Sequence, residues 1–185
     1  ARSFMVSPKS WWSQSPKSIE TLVHTVSRLA QFRVTDHILE VGCGVGTLAT
    51  LTATSCEGWL GIDQERAAIQ DAVVNAADLP NGYEFRVGDG EHWLRKLAGR
   101  VDLDVVILHA MRLPFGDTFM RLLSTFEPRV MIYIAPNPKS MLADIGALTT
   151  YGLEEVGILD QMPGTGHHLT IAHLALALDK EPSTP

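Results

Sequence analysis

Two patterns of hydrophobic and polar positions alternate along the chain. Short, continuous apolar segments are typical of buried strands, and segments with apolar residues every three or four positions are typical of helices. The strand pattern occurs at residues 37–41, 58–63, 83–87, 103–108, 130–134, 153–159 and 169–178. The helical pattern occurs at residues 17–31, 47–55, 65–77, 91–97, 117–126 and 138–150. This alternation predicts an α/β fold, a parallel sheet with helices on both faces.

The end of the chain departs from the alternation. A short segment, residues 160–168, joins the last two strand patterns without a helix, which predicts an antiparallel last strand. We therefore expect a doubly wound, Rossmann-like, seven-stranded and mostly parallel sheet with an antiparallel last strand. The expected organisation is an irregular lead-in over residues 1–16, one domain over residues 17–179 and a disordered tail over residues 180–185.

The composition is that of an ordinary globular domain. The chain has 185 residues, 45% hydrophobic and 19% charged, enough for a sizeable core. It contains no apolar run of the roughly 18 residues that span a bilayer and no signal-peptide pattern, so no membrane partner is expected. The two cysteines lack metal-ligand spacing, so we expect no metal and a cytoplasmic protein. Because the chain begins with Ala1, an organellar matrix after transit-peptide removal is the alternative, and an upstream domain could be missing.

Three glycines follow the first predicted strand. Gly42, Gly44 and Gly46 would let the backbone turn sharply and approach a ligand. The next helix would offer free N–H groups and a partial positive charge, which suit a carboxylate. Cys43, inside this loop, is interpreted as a packing residue rather than a nucleophile.

Two acids follow the next two strands. Asp63, after the second strand, is placed to accept hydrogen bonds from ribose hydroxyls. Asp89, after the third strand, is placed for an adenine amino group. The alternatives are a helix cap for Asp63 and a cap or turn for Asp89.

The glycine spacing separates two cofactor classes. Dinucleotide sites carry G-x-G-x-x-G, whereas this loop reads G-x-G-x-G after Glu40. The loop resembles the first motif of class I methyltransferases, which implies S-adenosylmethionine as the cofactor and S-adenosylhomocysteine as the product. The expected cofactor site comprises Glu40, the three glycines, Asp63 and Asp89.

Two later segments resemble the RNA 5-methyluridine methyltransferases. Residues 132–144 read Ile-Tyr-Ile-Ala-Pro-Asn-Pro-Lys-Ser-Met-Leu-Ala-Asp, and residues 159–169 read Leu-Asp-Gln-Met-Pro-Gly-Thr-Gly-His-His-Leu. Trp12-Ser13-Gln14 is similar to the family's Phe-x-Gln segment, which implies that Gln14 lies at the cofactor. The resemblance does not cover the family's RNA-binding barrel. With a net charge of −6, the chain is expected to hold RNA through a partner or a missing domain, and other protein subunits are further candidate partners.

The chemical positions of that family are changed. Its cysteine adds to carbon 6 of uracil and a glutamate helps remove the carbon 5 proton, but Pro136 and Leu169 stand at those positions. His109 replaces the acid that holds the base, while Arg112 remains. We therefore expect an S-adenosylmethionine-binding protein that forms no 5-methyluridine and methylates another acceptor. The alternative is a non-catalytic subunit of an RNA-associated or assembly complex.

Two histidines are candidate bases on the acceptor side. His109 ends the fourth predicted strand and is a candidate for contact with the acceptor or the cofactor; a plain strand-end role is the alternative. His167 lies in the loop before the last strand, where a turn role is the alternative. Trp11 and Trp12 could stack on a base or pack on the first helix.

Overall fold

The computed structural model of the chain describes residues 2–10, 12, 15–52, 56–80, 82–110, 113–162 and 164–177. The predictions for Trp11, Gln14, Arg112 and the tail at residues 180–185 lie outside the described residues. The helices are α1 (Pro16–Ala30), α2 (Thr47–Thr52), α3 (Arg66–Asn75), α4 (Gly90–Leu97), α5 (Asp117–Ser124) and α6 (Pro138–Ile145). The strands are β1 (His37–Val41), β2 (Gly58–Asp63), β3 (Tyr83–Val87), β4 (Val105–His109), β5 (Val130–Ala135), β6 (Tyr151–Asp160) and β7 (His168–Leu176).

The strands form one sheet in the order β3-β2-β1-β4-β5-β7-β6. Strands β1 to β5 pair in parallel, and β7 is antiparallel to both of its neighbours. The predicted fold class is therefore confirmed. The strand order reverses between β1 and β4, and ligands of such sheets bind beyond the carboxyl ends of the strands at this point.

The core consists of two apolar layers, one on each face of the sheet. Side chains alternate along β1, so Leu39 packs in one layer and Ile38 in the other. Helices α1, α2 and α3 cover the layer that contains Ile38, and α4, α5 and α6 cover the layer that contains Leu39. Every residue of β5 is buried, which explains its continuous apolar sequence.

Local sequence sets the ends of the helices. Ser15 caps α1 by accepting a hydrogen bond from the backbone N–H of Ser18, and Pro16 occupies the first turn. The helix predicted over residues 138–150 ends earlier, at Ile145. Gly146 follows it, and glycine is a poor helix former. Within the described ranges, no helix is both long and apolar enough to cross a membrane.

The lead-in before α1 lies against α3. Ser7 donates from its backbone N–H and its hydroxyl to the carboxylate of Asp71, at 2.7 and 2.8 Å, and Ser10 Oγ donates to the same carboxylate at 2.7 Å. The rings of Phe4 and Trp12 lie 4.9 Å apart. The contact with α3 depends on Asp71, which is only 3% exposed. Hydrogen bonds between polar side chains therefore hold the lead-in against the domain.

Candidate functional site

The glycine loop joins β1 to α2 at the reversal of strand order. Gly42, Gly44 and Gly46 all have positive φ, +81°, +55° and +75°. A Cβ on Gly42 would lie 2.7 Å from the carbonyl oxygen of His109, so no other residue fits there without a shift. By contrast, no non-neighbouring atom lies within 4 Å of a Cβ on Gly44. The loop thus packs tightly against β4 at one glycine and leaves open space at the next.

Asp63, the last residue of β2, links the glycine loop to the turn before α3. Its Oδ2 accepts a hydrogen bond from the backbone N–H of Gly44 at 2.9 Å, and its Oδ1 accepts one from Glu65 N–H at 2.8 Å. The N-cap of α3 is Glu65, so the alternative of Asp63 as that cap is wrong. Each carboxylate oxygen keeps a further lone pair, which leaves Asp63 able to accept from a ligand.

Asp89 follows β3 and is the N-cap of α4. Its Oδ1 accepts from the backbone N–H groups of Glu91 and His92, at 2.9 and 3.3 Å. Its Oδ2 accepts from the side-chain amide of Gln64 at 3.3 Å. The cap alternative is therefore what the structure shows for Asp89, and its contact with an adenine stays a prediction.

A cavity of about 650 Å³ opens at these strand ends. Its polar wall includes Asp63 and Asp89, and Phe115 and Phe119 lie on its apolar wall with ring centroids 4.7 Å apart. The volume falls within the range of about 300–1,000 Å³ typical of small-ligand sites. Another groove, of about 740 Å³, lies between the lead-in and α1. Among the described residues, none of those predicted for the cofactor lines it.

His109 lies on the wall of the cavity at the end of β4. Its Nε2 is 3.3 Å from Oε1 of Glu40, and Oε2 of Glu40 accepts a hydrogen bond of 3.0 Å from Nε1 of Trp59. Glu40 is 1% exposed, so it lies behind His109 rather than on the cavity wall. Its predicted contact with the cofactor therefore remains a prediction, and any effect would pass through the loop or His109.

The changed family positions lie beyond β5 and in β7. Pro136 is exposed directly after β5, and Asn137 caps α6 by accepting from Lys139 N–H at 3.0 Å. Leu169 is 9% exposed and packs in the core layer that contains Ile38. An apolar side chain in the core has no proton to give or take.

His167 lies in the exposed loop between β6 and β7. Its backbone N–H donates to Oγ1 of Thr165 at 3.1 Å, the contact expected of the turn alternative. The loop lies at the same edge of the sheet as the cavity, because β7 begins opposite the end of β5. His167 does not line the cavity itself, and its role as a base stays a prediction.

Cys43 is buried in the core beside the glycine loop. Burial raises the pKa of its thiol well above the ordinary value, and the nearby carboxylates of Glu40 and Asp63 raise it further. A thiol with so little tendency to ionise is a poor nucleophile. This environment agrees with the interpretation of Cys43 as a packing residue.

The sequence interpretation assigned no role to Asp144. This buried residue of α6 accepts hydrogen bonds from the backbone N–H groups of Phe115 and Gly116, at 2.7 and 2.8 Å, and from the hydroxyl of Tyr133. Burial, and then the bond to Asp144, raises the pKa of Tyr133 above its ordinary range. Asp144 therefore holds the backbone at Phe115 and Gly116, and Phe115 lines the cavity. The signal in the sequence was its place as the last residue of segment 132–144, which resembles the RNA 5-methyluridine methyltransferases.

In the described part of the chain, no group of histidine, cysteine and acidic side chains could hold a metal ion.

The fold and the glycine loop define a class I methyltransferase domain. The family described as "Methyltransferase domain" matches residues 33–151, and the chain belongs to this family. The cofactor of the class is S-adenosylmethionine, as the sequence predicted.

Several relatives are named RNA methyltransferases. An uncharacterized RNA methyltransferase of Oceanobacillus iheyensis is 28% identical over 95% of this chain and 39% of its own length. Another, from Staphylococcus aureus strain MRSA252, is 31% identical over 91% of this chain and 38% of its own length. The chain thus spans about two fifths of these relatives.

Among solved structures, the Pyrococcus abyssi tRNA (uracil-54, C5)-methyltransferase in complex with S-adenosyl-L-homocysteine has a TM-score of 0.79 at 26% identity. The match covers 93% of this chain and 42% of that one. A precorrin-8w decarboxylase of Methanobacterium thermoautotrophicum has a TM-score of 0.71 at 16% identity, which shows the fold alone. The predicted relationship to RNA methyltransferases is confirmed.

Proposed function

We propose that this chain binds S-adenosylmethionine in the cavity at the ends of β1 to β4. We propose further that it methylates an acceptor atom in RNA other than carbon 5 of uridine. One observation carries the proposal. In the cofactor half of the site, Gly42 of the glycine loop and both acids line one cavity, while Pro136 and Leu169 replace the two residues that uracil carbon chemistry needs.

The residues around the cavity suit this cofactor. Asp63 and Asp89 supply carboxylate oxygens for hydroxyl and amino groups, and Ile62 and Phe115 supply apolar surface for a flat ring. The open space at Gly44 admits a ligand close to the backbone. The bound cofactor would supply an electrophilic methyl group, and the chain's own part is to bind, to orient and to exclude water.

The nature of the acceptor follows from what the site lacks. Carbon 5 of uracil becomes a nucleophile only after a thiolate adds to the ring, and Pro136 provides none. A nitrogen or oxygen acceptor already carries a lone pair and needs only positioning and loss of a proton. His109, on the cavity wall, is the described side chain placed to take that proton. RNA as the source of the acceptor is supported by the names of the relatives.

A second candidate function is a non-catalytic subunit that keeps the cofactor pocket for stability. Leu169 favours it, because the position of the family's glutamate has become part of the core, at 9% exposure. Such a subunit would bind the cofactor and transfer nothing.

Two assays separate these candidates. In the first, the chain is incubated with methyl-labelled S-adenosylmethionine and with total RNA, total protein or small-molecule extracts; label in the RNA that depends on His109 supports the proposal. Label in protein or small molecules alone would overturn the RNA assignment, and no label in any extract would favour the non-catalytic subunit. In the second, nucleosides from undermodified RNA are analysed by mass spectrometry; 5-methyluridine above the no-enzyme control would return the chain to uracil chemistry.

A further inference from the structure

Glu40 is a carboxylate buried in the core layer that α1, α2 and α3 cover. It is 1% exposed, and burying a charge is costly unless hydrogen-bond donors surround it. Within the described ranges, Nε1 of Trp59 donates a hydrogen bond of 3.0 Å to one oxygen of Glu40, and Nε2 of His109 lies 3.3 Å from the other oxygen. Each oxygen of Glu40 is therefore assigned to one neighbouring ring.

The distance to Glu40 determines which nitrogen of His109 carries a proton. Nε2 is sealed from solvent and is not aligned for a hydrogen bond with any described atom. A bare lone pair on Nε2 would lie 3.3 Å from a carboxylate oxygen and be repelled by its charge, whereas an N–H dipole at that nitrogen is attracted. The carboxylate therefore favours the tautomer with the hydrogen on Nε2, which leaves the lone pair of the neutral ring on Nδ1.

We propose that Glu40 is a positioning residue that holds Nε2 of His109 protonated, so that Nδ1 is the basic nitrogen of this residue of the cavity wall. The inference rests on the proposed function, because it assigns roles at the same site. Trp59 donates to the other oxygen of Glu40, which leaves Oε1 as the oxygen beside His109. A buried acid that orients a histidine through one nitrogen and leaves the other to react is a recurrent catalytic arrangement.

The backbone supports the same arrangement. A Cβ added to Gly42 would lie 2.7 Å from the carbonyl oxygen of His109 and 3.0 Å from the Cβ of His109. The glycine loop therefore fixes the start of the histidine side chain, while Glu40 fixes its far nitrogen. With both ends held, the ring has little freedom to turn Nδ1 away.

The arrangement suits methylation of an N–H or O–H group. The lone pair of the acceptor would form the new bond to the methyl carbon of S-adenosylmethionine. The bond between that carbon and sulfur would break, with its electrons remaining on sulfur. The acceptor then has one proton to lose, and Nδ1 of His109 takes it. No thiolate and no proton loss from a ring carbon are needed, in keeping with Pro136 and Leu169.

The test is the tautomer of His109, read from two-bond ¹H–¹⁵N correlation spectra of the ¹⁵N-labelled chain at about pH 9, where an ordinary imidazole is neutral. A His109→Asn variant assigns the signal. The wild type should show the pattern of a proton on Nε2 alone. In Glu40→Gln the single carbonyl oxygen cannot accept from both rings, so the pattern should change to a mixture of tautomers. Trp59→Phe, which leaves the His109 side of Glu40 in place, is the matched control and should keep the wild-type pattern.

Each outcome decides the inference. A proton on Nδ1 in the wild type, or an unchanged pattern in Glu40→Gln, would overturn it. If Glu40→Gln does not fold, the wild-type and Trp59→Phe spectra still decide, since either one lacking the Nε2–H pattern contradicts the assignment. Calorimetry with S-adenosylhomocysteine on the same samples keeps the two proposals apart. Absence of binding would remove the proposed function and leave the tautomer result as measured.

Discussion

Replacing Asp144 with alanine should destabilise the domain by about 3–5 kcal/mol. The carboxylate accepts three hydrogen bonds, from Tyr133 Oη and from the backbone N–H groups of Phe115 and Gly116. Tyr133 is fully buried, so its stranded hydroxyl should cost about 1–3 kcal/mol. Water can reach the two part-buried N–H groups, which lowers their loss to about 1 kcal/mol each. The total is a large fraction of the roughly 5–15 kcal/mol that holds a domain folded.

The assay is urea unfolding followed by tryptophan fluorescence. Tyr133→Phe removes one of the three donors and keeps the carboxylate, so it should cost only about 1–2 kcal/mol. Asp102→Ala, at an exposed position before β4, is the matched control and should stay within about 0.5 kcal/mol of the wild type. Because Asp144 holds the backbone of Phe115, which lines the cavity, Asp144→Ala should also weaken binding of S-adenosylhomocysteine.

A small loss of stability in Asp144→Ala would refute this reasoning. A loss of less than about 1 kcal/mol in Asp144→Ala would mean that water replaces the carboxylate without penalty. Unchanged cofactor affinity in a folded Asp144→Ala protein would mean that the clamped loop does not shape the cavity.

Three further predictions concern the loop, the lead-in and the cysteines. Gly42→Ala should cost about 1–3 kcal/mol, since φ is +81° and the new Cβ would meet the His109 carbonyl at 2.7 Å; a urea midpoint equal to the wild type would contradict it. Burial opposes the charge on Asp71, but hydrogen bonds from Ser7 and Ser10 outweigh it and lower its pKa below the ordinary 3.8. The stability from Asp71 should therefore be complete above pH 3.8 and lost as pH falls below it, and hydrogen exchange in residues 2–10 that stays equally slow in acid would oppose this. Burial raises the pKa of both thiols, far more for Cys43 than for Cys56, so mass spectrometry should find Cys56 alkylated first; the reverse order would contradict the packing role of Cys43.

The fold could be predicted from the sequence because the apolar and polar residues within each strand indicate which of its positions are buried. The bounds of β1, β2 and β3 agree with prediction, since glycines and polar residues flank their apolar runs. The helix ends were less readable. The last helix ends at Ile145, although the apolar pattern that predicted a helix to residue 150 continues beyond it.

The candidate site was readable only where neighbours in sequence act together. The glycine loop and the acids after β2 and β3 follow from strand order, and the structure brings Gly42, Asp63 and Asp89 to one cavity, which Gly44 and Gly46 do not line. Glu40 illustrates the limit, because its partners Trp59 and His109 lie on other strands. Asp144 was missed for the same reason, since the backbone groups it holds are 28 and 29 residues away along the chain.

Calorimetric titration of the chain with S-adenosylhomocysteine tests the central claim most directly. One site per chain is expected, lost in Gly44→Arg, whose side chain would enter the open space beside Asp63. Gly99→Arg is the matched control. Gly99 has a similar φ of +69° and the same open surroundings, but it follows the end of α4 that points away from the cavity. The Gly99→Arg chain should therefore bind S-adenosylhomocysteine like the wild type. A wild-type chain that binds no S-adenosylhomocysteine, or a folded Gly44→Arg chain that binds it as tightly as Gly99→Arg does, would contradict the account.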